Sequence, residues 1–286
     1  MPSNESPESR RGTIVAIGGA EDKVRERVVL QRIVKLAGGR KAHIAVVPTA
    51  SRIPAEMIAT YQRVFTELGA ARVTPLEVAD RAMGGDEGNL AVLDDATLVF
   101  LTGGDQLRLV SAIGGTPFAT RLRKLNAGGL PIAGTSAGAG VLCQHMIARG
   151  RSGQWMNQSM VSLAPGLGLS NRIVIDQHFS QRHRMGRLFT AVSLNPFLVG
   201  VGIDEDTAIA LDAENRLHVW GRGSVTVVDG GDITRTDVAE VDGRKPGSVF
   251  GLRVHVLTEG CSYDLIGRRG HAPGEHPDPI RAAERR

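Results

Sequence analysis

The chain has 286 residues, 42% hydrophobic and 22% charged, with a formal net charge of +4. That length supports a full buried core in one large domain or two modest ones, and the composition is ordinary for a globular protein. The charge is mild and partly terminal, and aromatics make up only 4%, which argues against a basic, stacking nucleic-acid surface. Two cysteines, Cys143 and Cys261, are too few for a disulfide framework or a zinc site. No apolar signal core and no run of about 18 apolar residues occurs. A soluble, cytoplasmic protein with no membrane contact is expected.

Apolar strands alternate with amphipathic helices through the first two-thirds. "GTIVAIGG" from Gly12 predicts a strand, and "KVRERVVLQRIVKLAGG" a helix closed by glycines. "AHIAVVPTAS" follows as a strand, then "PAEMIATYQRVFTELGA" as a helix started by Pro54. "ARVTPLEV" precedes the strand "ATLVFLTGGD" and the helix "QLRLVSAIGG". After "LPIAGTSAGAGVLC", "IVIDQHF" reads as a strand, "RHRMGRLFTAVSL" as a helix and "LVGVGIDEDTAIAL" as a strand. The alternation predicts an α/β fold, a mostly parallel sheet with helices on both faces. From about Arg216, "RLHVWGRGSVTVVDGG" and "RVHVLTEGCSYDL" add antiparallel strands. No Pro/Ser-rich linker divides the chain, so one domain is expected, with residues 1–11 and 270–286 as loose tails.

Gly134-Thr135-Ser136-Ala137-Gly138 fits the G-x-S-x-G elbow, in which a sharp strand-to-helix turn lifts a nucleophilic hydroxyl clear of the sheet. A serine nucleophile needs a base and an orienting acid. Of eight histidines, His43 lies in an apolar strand and suits a satisfied core role. His145 falls late in the helix expected after the elbow, and His183 within another helix. His218 and His255 lie in the C-terminal strands, and His271 and His276 in the expected tail. His178 ends a strand, where parallel sheets place their sites, and is the best base. Asp204, Glu205 and Asp206 interrupt an apolar run, where burying acids without partners is costly; periodicity does not choose among them. Gly103 and Gly104 end a strand before a helix, so N–H groups around Gly104-Asp105, with that of Ala137, are candidate oxyanion donors. "AIGGAED" is a turn of the same type. Neither turn matches a nucleotide-binding glycine motif.

Taken together, "IGGAEDK", "TGGDQ", "GTSAGA", "DQHF.QR.R..RL" and "GIDEDTA" resemble the cyanophycinase family, serine peptidases related to dipeptidase E, over about residues 12–266. The resemblance implies a flavodoxin-like fold related to class I glutamine amidotransferases, a homodimer, and no metal or organic cofactor. Its substrate would be cyanophycin, a polyaspartate chain carrying arginine on its side-chain carboxyls, cut into β-Asp-Arg dipeptides. Carried over by position, it makes Ser136 the nucleophile, His178 the base and Glu205 the acid. It places substrate contacts at Gln106, Asp176, Gln177, Arg182, Arg184 and Arg187. Arginine also suits a carboxylate-rich polymer on chemical grounds, through bidentate contacts, and Asp176 is a candidate partner for the substrate's guanidinium. An Asp-specific dipeptidase and a non-catalytic binding protein on the same fold are the alternatives. A glutaminase would carry cysteine where Ser136 stands.

Overall fold

The computed structural model describes residues 11–153, 155–241, 245–276, 278 and 280. Its strands run, in chain order, β1 (Ile14–Ile17), β2 (His43–Val47), β3 (Arg72–Pro75), β4 (Leu98–Leu101), β5 (Ile132–Thr135), β6 (His145–Gly150), β7 (Val161–Pro165), β8 (Ile173–Gln177) and β9 (Val199–Ile203). They continue with β10 (Thr207–Leu211), β11 (Arg216–Gly221), β12 (Val225–Asp229), β13 (Arg235–Thr236), β14 (Val249–Phe250), β15 (Arg253–Leu257), β16 (Ser262–Asp264) and β17 (Arg269–His271). The helices are α1 (Val28–Leu36), α2 (Pro54–Glu67), α3 (Glu87–Asp95), α4 (Gln106–Ile113), α5 (Pro117–Ala127), α6 (Ala137–Gly140) and α7 (Met185–Leu194).

A nine-stranded sheet in the order β17-β16-β11-β10-β1-β5-β4-β2-β3 forms the centre. Strands β1 to β5 pair in parallel, and β10, β11, β16 and β17 extend the sheet antiparallel beyond β1. Strands β1, β2, β4 and β5 are buried on both faces and read as largely apolar runs, while the edge strand β3 is only partly buried. Alternation along β1 sends Val15 and Ile17 into one core with Ile33, Phe65, Phe100 and Trp220. Ile14 and Ala16 point the other way, into a core with Leu109, Phe118 and Leu122. Helices α1 and α2 therefore cover one face, and α4 and α5 the other. The expected α/β class, with helices on both faces and added antiparallel strands, is what the chain adopts.

Three local expectations change. First, "IVIDQHF" and the front half of "LVGVGIDEDTAIAL" leave the central sheet. Strands β8 and β9 pair in parallel in a separate four-stranded sheet, β15-β12-β9-β8. Its inner side chains, Ile175, Val201 and Val227, join the second core, while α7 packs Leu188 and Val192 on its outer side. The chain crosses between the sheets at Asp204–Asp206, between β9 and β10. Second, the helix after the elbow stops at Gly140. The carbonyls of Val141, Leu142, Cys143 and Gln144 instead accept N–H groups from residues 166–170, so His145 begins a strand. Third, α1 starts only at Val28, because the Asp22 carboxylate takes the backbone N–H groups of Val24, Arg25, Glu26 and Arg27 and wraps them into a turn. Those bonds hold Asp22 below the ordinary carboxylate range.

Part of the stretch expected to be loose is packed. Arg269–His271 completes the sheet edge as β17, Asp278 accepts the Trp220 indole N–H at 2.8 Å, and Ile280 is buried. Arg11 donates to the Asp212 carbonyl. Residues 1–10 and 281–286 lie outside the described residues.

Candidate active site

The parallel register brings the carboxyl ends of β1, β5 and β4 to one edge, since Ile17 pairs with Thr135 and Leu101 with Gly134. Ligands of open α/β sheets bind at such edges. Ser136 stands there with φ 52° and ψ −113°, a conformation costing about 1–3 kcal/mol for a residue with a Cβ. The flanking glycines are demanded by close packing. A Cβ at Gly134 would lie 2.2 Å from the Gly138 carbonyl oxygen, and one at Gly138 would lie 2.2 Å from that of Leu101. The Ser136 N–H donates to the Ile17 carbonyl, and its own carbonyl accepts from Ala139 and Gly140. These bonds hold the strained turn.

His178 and Glu205 reach this serine from the second sheet. His178 follows β8 at φ 50°, with its N–H on the Gly18 carbonyl at 2.8 Å. Its ring lies on Gly19, where a Cβ would come within 2.4 Å of the imidazole. Nε2 is 2.9 Å from Ser136 Oγ, and Nδ1 is 2.7 Å from Glu205 Oε1. A carboxylate can only accept, so the neutral ring carries its proton on Nδ1 and turns the Nε2 lone pair to the serine. Glu205 sits at the crossing between the sheets, and its neighbours are engaged elsewhere. Asp204 accepts from Ser180 and Ser224. Asp206 accepts the Asp22 N–H and donates its own N–H to Gly19. Burial would raise Asp204, but the bonds from Ser180 and Ser224 hold it below the ordinary carboxylate range.

Burial holds the His178 imidazole below its ordinary value; Glu205 opposes this, and Arg182 and Arg184 add to it. A histidine acting as base works in its neutral form. Lowering its pKa therefore moves the loss of activity to lower pH. The acid limb of kcat/KM should be centred below about 6.5, the ordinary imidazole value, with a plateau by neutrality. A pH–rate profile on a substrate that does not itself titrate in this range checks this; a limb centred above that value would contradict it.

The model of peptidase family S51 matches residues 14–218. The chain belongs to peptidase family S51. The cyanophycinase of Trichormus variabilis is 43% identical over 264 residues, which cover 92% of this chain and 89% of that protein. The cyanophycinase of Synechococcus elongatus is 46% identical over 256 residues, covering 89% and 80% respectively. Among solved structures, a peptidase from an acI-B1 actinobacterium has the same fold, with a TM-score of 0.64 at 18% identity over 90% of this chain and 98% of its own.

In this S51 peptidase the remaining positions named from sequence separate into groups. The N–H groups of Gly104 and Ala137 have no acceptor among the described residues, and Gly103 packs on the Ser136 Cβ. Asp105 is a correction: its N–H donates to the Ala50 carbonyl, and its carboxylate caps α4 through the N–H groups of Leu107 and Arg108. It has no N–H left for an oxyanion. Gln106 donates from Nε2 to the carbonyls of Ile147 and Ala148, tying α4 to β6. Gln177 is buried against Gly140.

The arginines are not equivalent. Asp176 is fully buried, and both of its oxygens are taken. Oδ2 accepts Arg187 Nε at 2.6 Å, while Oδ1 accepts Arg187 Nη2 and, at 3.2 Å, Arg184 Nη1. Asp176, expected to meet a substrate guanidinium, and Arg187, expected to clamp a carboxylate, are instead each other's partners in this structure. Arg184 also donates to the Gln177 carbonyl. Burial lowers its pKa to about 10, which leaves it cationic at neutral pH. Arg182 alone of the three is exposed, in the turn just after His178. Sequence reasoning missed Gly19 as the seat of the imidazole, since "IGG" read only as another glycine turn. It also missed Glu21, a buried acid directly after that turn.

Proposed function

We propose that this peptidase is a cyanophycinase, a serine exopeptidase that releases β-Asp-Arg dipeptides from the polyaspartate chain. The observation that carries the reading is the unbroken run from Ser136 Oγ through the His178 ring to Glu205, 2.9 and 2.7 Å. The curated relatives named cyanophycinase, similar over about nine-tenths of the chain, support the substrate. His178 takes the Ser136 proton, and the alkoxide attacks a backbone carbonyl of the polymer. The N–H groups of Ala137 and Gly104 stabilise the oxyanion. His178 returns the proton to the leaving amine, and then activates the water that hydrolyses the acyl-enzyme. Glu205 keeps the imidazole in the productive tautomer and balances its charge when protonated.

Arg182 meets the substrate's carboxylates, with Gln106, Gln177 and Arg184 lining the approach. The enzyme works in the cytoplasm as a homodimer, without a cofactor. Removing the exposed guanidinium tests the carboxylate contact. Arg182→Ala should lower kcat/KM on cyanophycin by about ten- to a hundredfold, the worth of a charge-assisted hydrogen bond. Lysine should rescue it only in part, because it lacks the planar fork. Hydrolysis of a short uncharged ester should barely change. If ester and polymer activities fall together, Arg182 supports the site rather than reading the substrate.

A further inference from the structure

Beneath the elbow lies a carboxylate that the hydrolytic chemistry does not use. Glu21 is 3% exposed, and a carboxylate at that depth needs partners. Strand β5, helix α2 and its own turn supply them. Its Oε2 accepts the Thr135 hydroxyl at 2.6 Å. Its Oε1 accepts the Tyr61 hydroxyl from α2 and lies 2.7 Å from Lys23 Nζ. Burial, reinforced by the Glu21 charge, pushes the Tyr61 phenol well above its ordinary value, so it stays a donor.

Thr135 is the residue immediately before the nucleophile, and it is itself buried. Backbone bonds fix the far side of the strained Ser136 turn, through Ala139 and Gly140. On the near side, the Thr135 hydroxyl is the side-chain tether, and Glu21 is its acceptor. The short segment bearing Glu21 also touches the rest of the site. Gly18 accepts the His178 N–H, Gly19 underlies the ring and accepts the Asp206 N–H, and Asp22 donates to the Asp206 carboxylate. Strand β1 and its following turn thus connect the serine, the histidine and the corner that presents Glu205.

We propose that Glu21 is a positioning residue for the nucleophile. Its carboxylate, acting through the Thr135 hydroxyl, holds the elbow where Ser136 Oγ meets His178. This rests on Ser136 being the nucleophile. Glu21 is buried behind Thr135 and presents almost no surface to a substrate, so its loss should lower kcat and leave KM unchanged.

The test is the rate at which a fluorophosphonate labels Ser136, measured beside steady-state kinetics. Thr135→Val keeps the shape and removes the donor. It should slow labelling and kcat by about ten- to a hundredfold, the scale of a small misplacement of a reacting group, at unchanged KM. Thr135→Ser keeps the hydroxyl and should stay close to wild type. Glu21→Ala, which also frees Tyr61 and Lys23, should be at least as slow as Thr135→Val, and the double variant no slower than Glu21→Ala, because the Thr135–Glu21 contact is already lost there. Wild-type labelling in Thr135→Val overturns the proposal, as does equal impairment of Thr135→Ser and Thr135→Val. The nucleophile reading fails separately, and visibly, if the wild-type protein is not labelled or if Ser136→Ala is labelled equally fast.

Discussion

Ser136→Ala should lower turnover on the order of 10⁴- to 10⁶-fold, as loss of a triad nucleophile does, with the protein still folded. Alanine keeps the Cβ that packs against Gly103 and every backbone bond of the elbow, so a large stability change is not expected. The loss should appear in kcat, with polymer binding retained, because the hydroxyl acts in the bond-making steps. Chelators should leave the wild-type activity unchanged, since in the proposed mechanism serine, imidazole and carboxylate together supply nucleophile, base and charge balance. Kinetics of the alanine variant beside an EDTA-treated wild type check both statements. Near-normal activity in the variant would refute the nucleophile.

Glu205→Gln is the second large effect. The glutamine amide can present N–H to His178 Nδ1, which favours the tautomer whose Nε2 carries the proton and cannot accept from Ser136. A fall in kcat on the order of 10⁴-fold follows from that loss of orientation and of charge. The two flanking aspartates should behave differently. Asp204→Asn weakens the bonds that join Ser180 and Ser224 across the crossing, and should cost about 1–3 kcal/mol of stability more than it costs turnover. Asp206→Asn disturbs the Asp22 contact and should do less still. Kinetics with thermal unfolding of all three variants decides the assignment. A larger catalytic loss at either aspartate, in a folded protein, would move the acid.

Much of the site is legible because its local chemistry is demanding. Ser136 is marked by two glycines that the packing of β5, α6 and β4 requires, and His178 by its place at the end of an apolar strand. The choice of Glu205 is not legible from spacing. Residues 198–211 read as one apolar run, yet the chain changes sheets at Asp204–Asp206. Hydrophobic periodicity records that a strand is buried, not which sheet it joins. The sharp corner at Asp206, φ 49°, is what separates the acid that faces His178 from the two that hold the corner. Arg184 and Arg187 illustrate the same limit. Their spacing on one helix face reads equally as a clamp for substrate or as a clamp for Asp176, eight and eleven residues earlier, and only the tertiary structure seats that carboxylate between them. Glu21 is hidden for a related reason: the two hydroxyls it accepts from lie 40 and 114 residues away.

The most direct measurement is to incubate the purified protein with insoluble cyanophycin and analyse the soluble products by mass spectrometry, with Ser136→Ala in parallel. Release of β-Asp-Arg dipeptides by the wild type, and none by the variant, is the expected result. Intact polymer after incubation with active wild-type enzyme, or equal release by the alanine variant, would contradict the assignment.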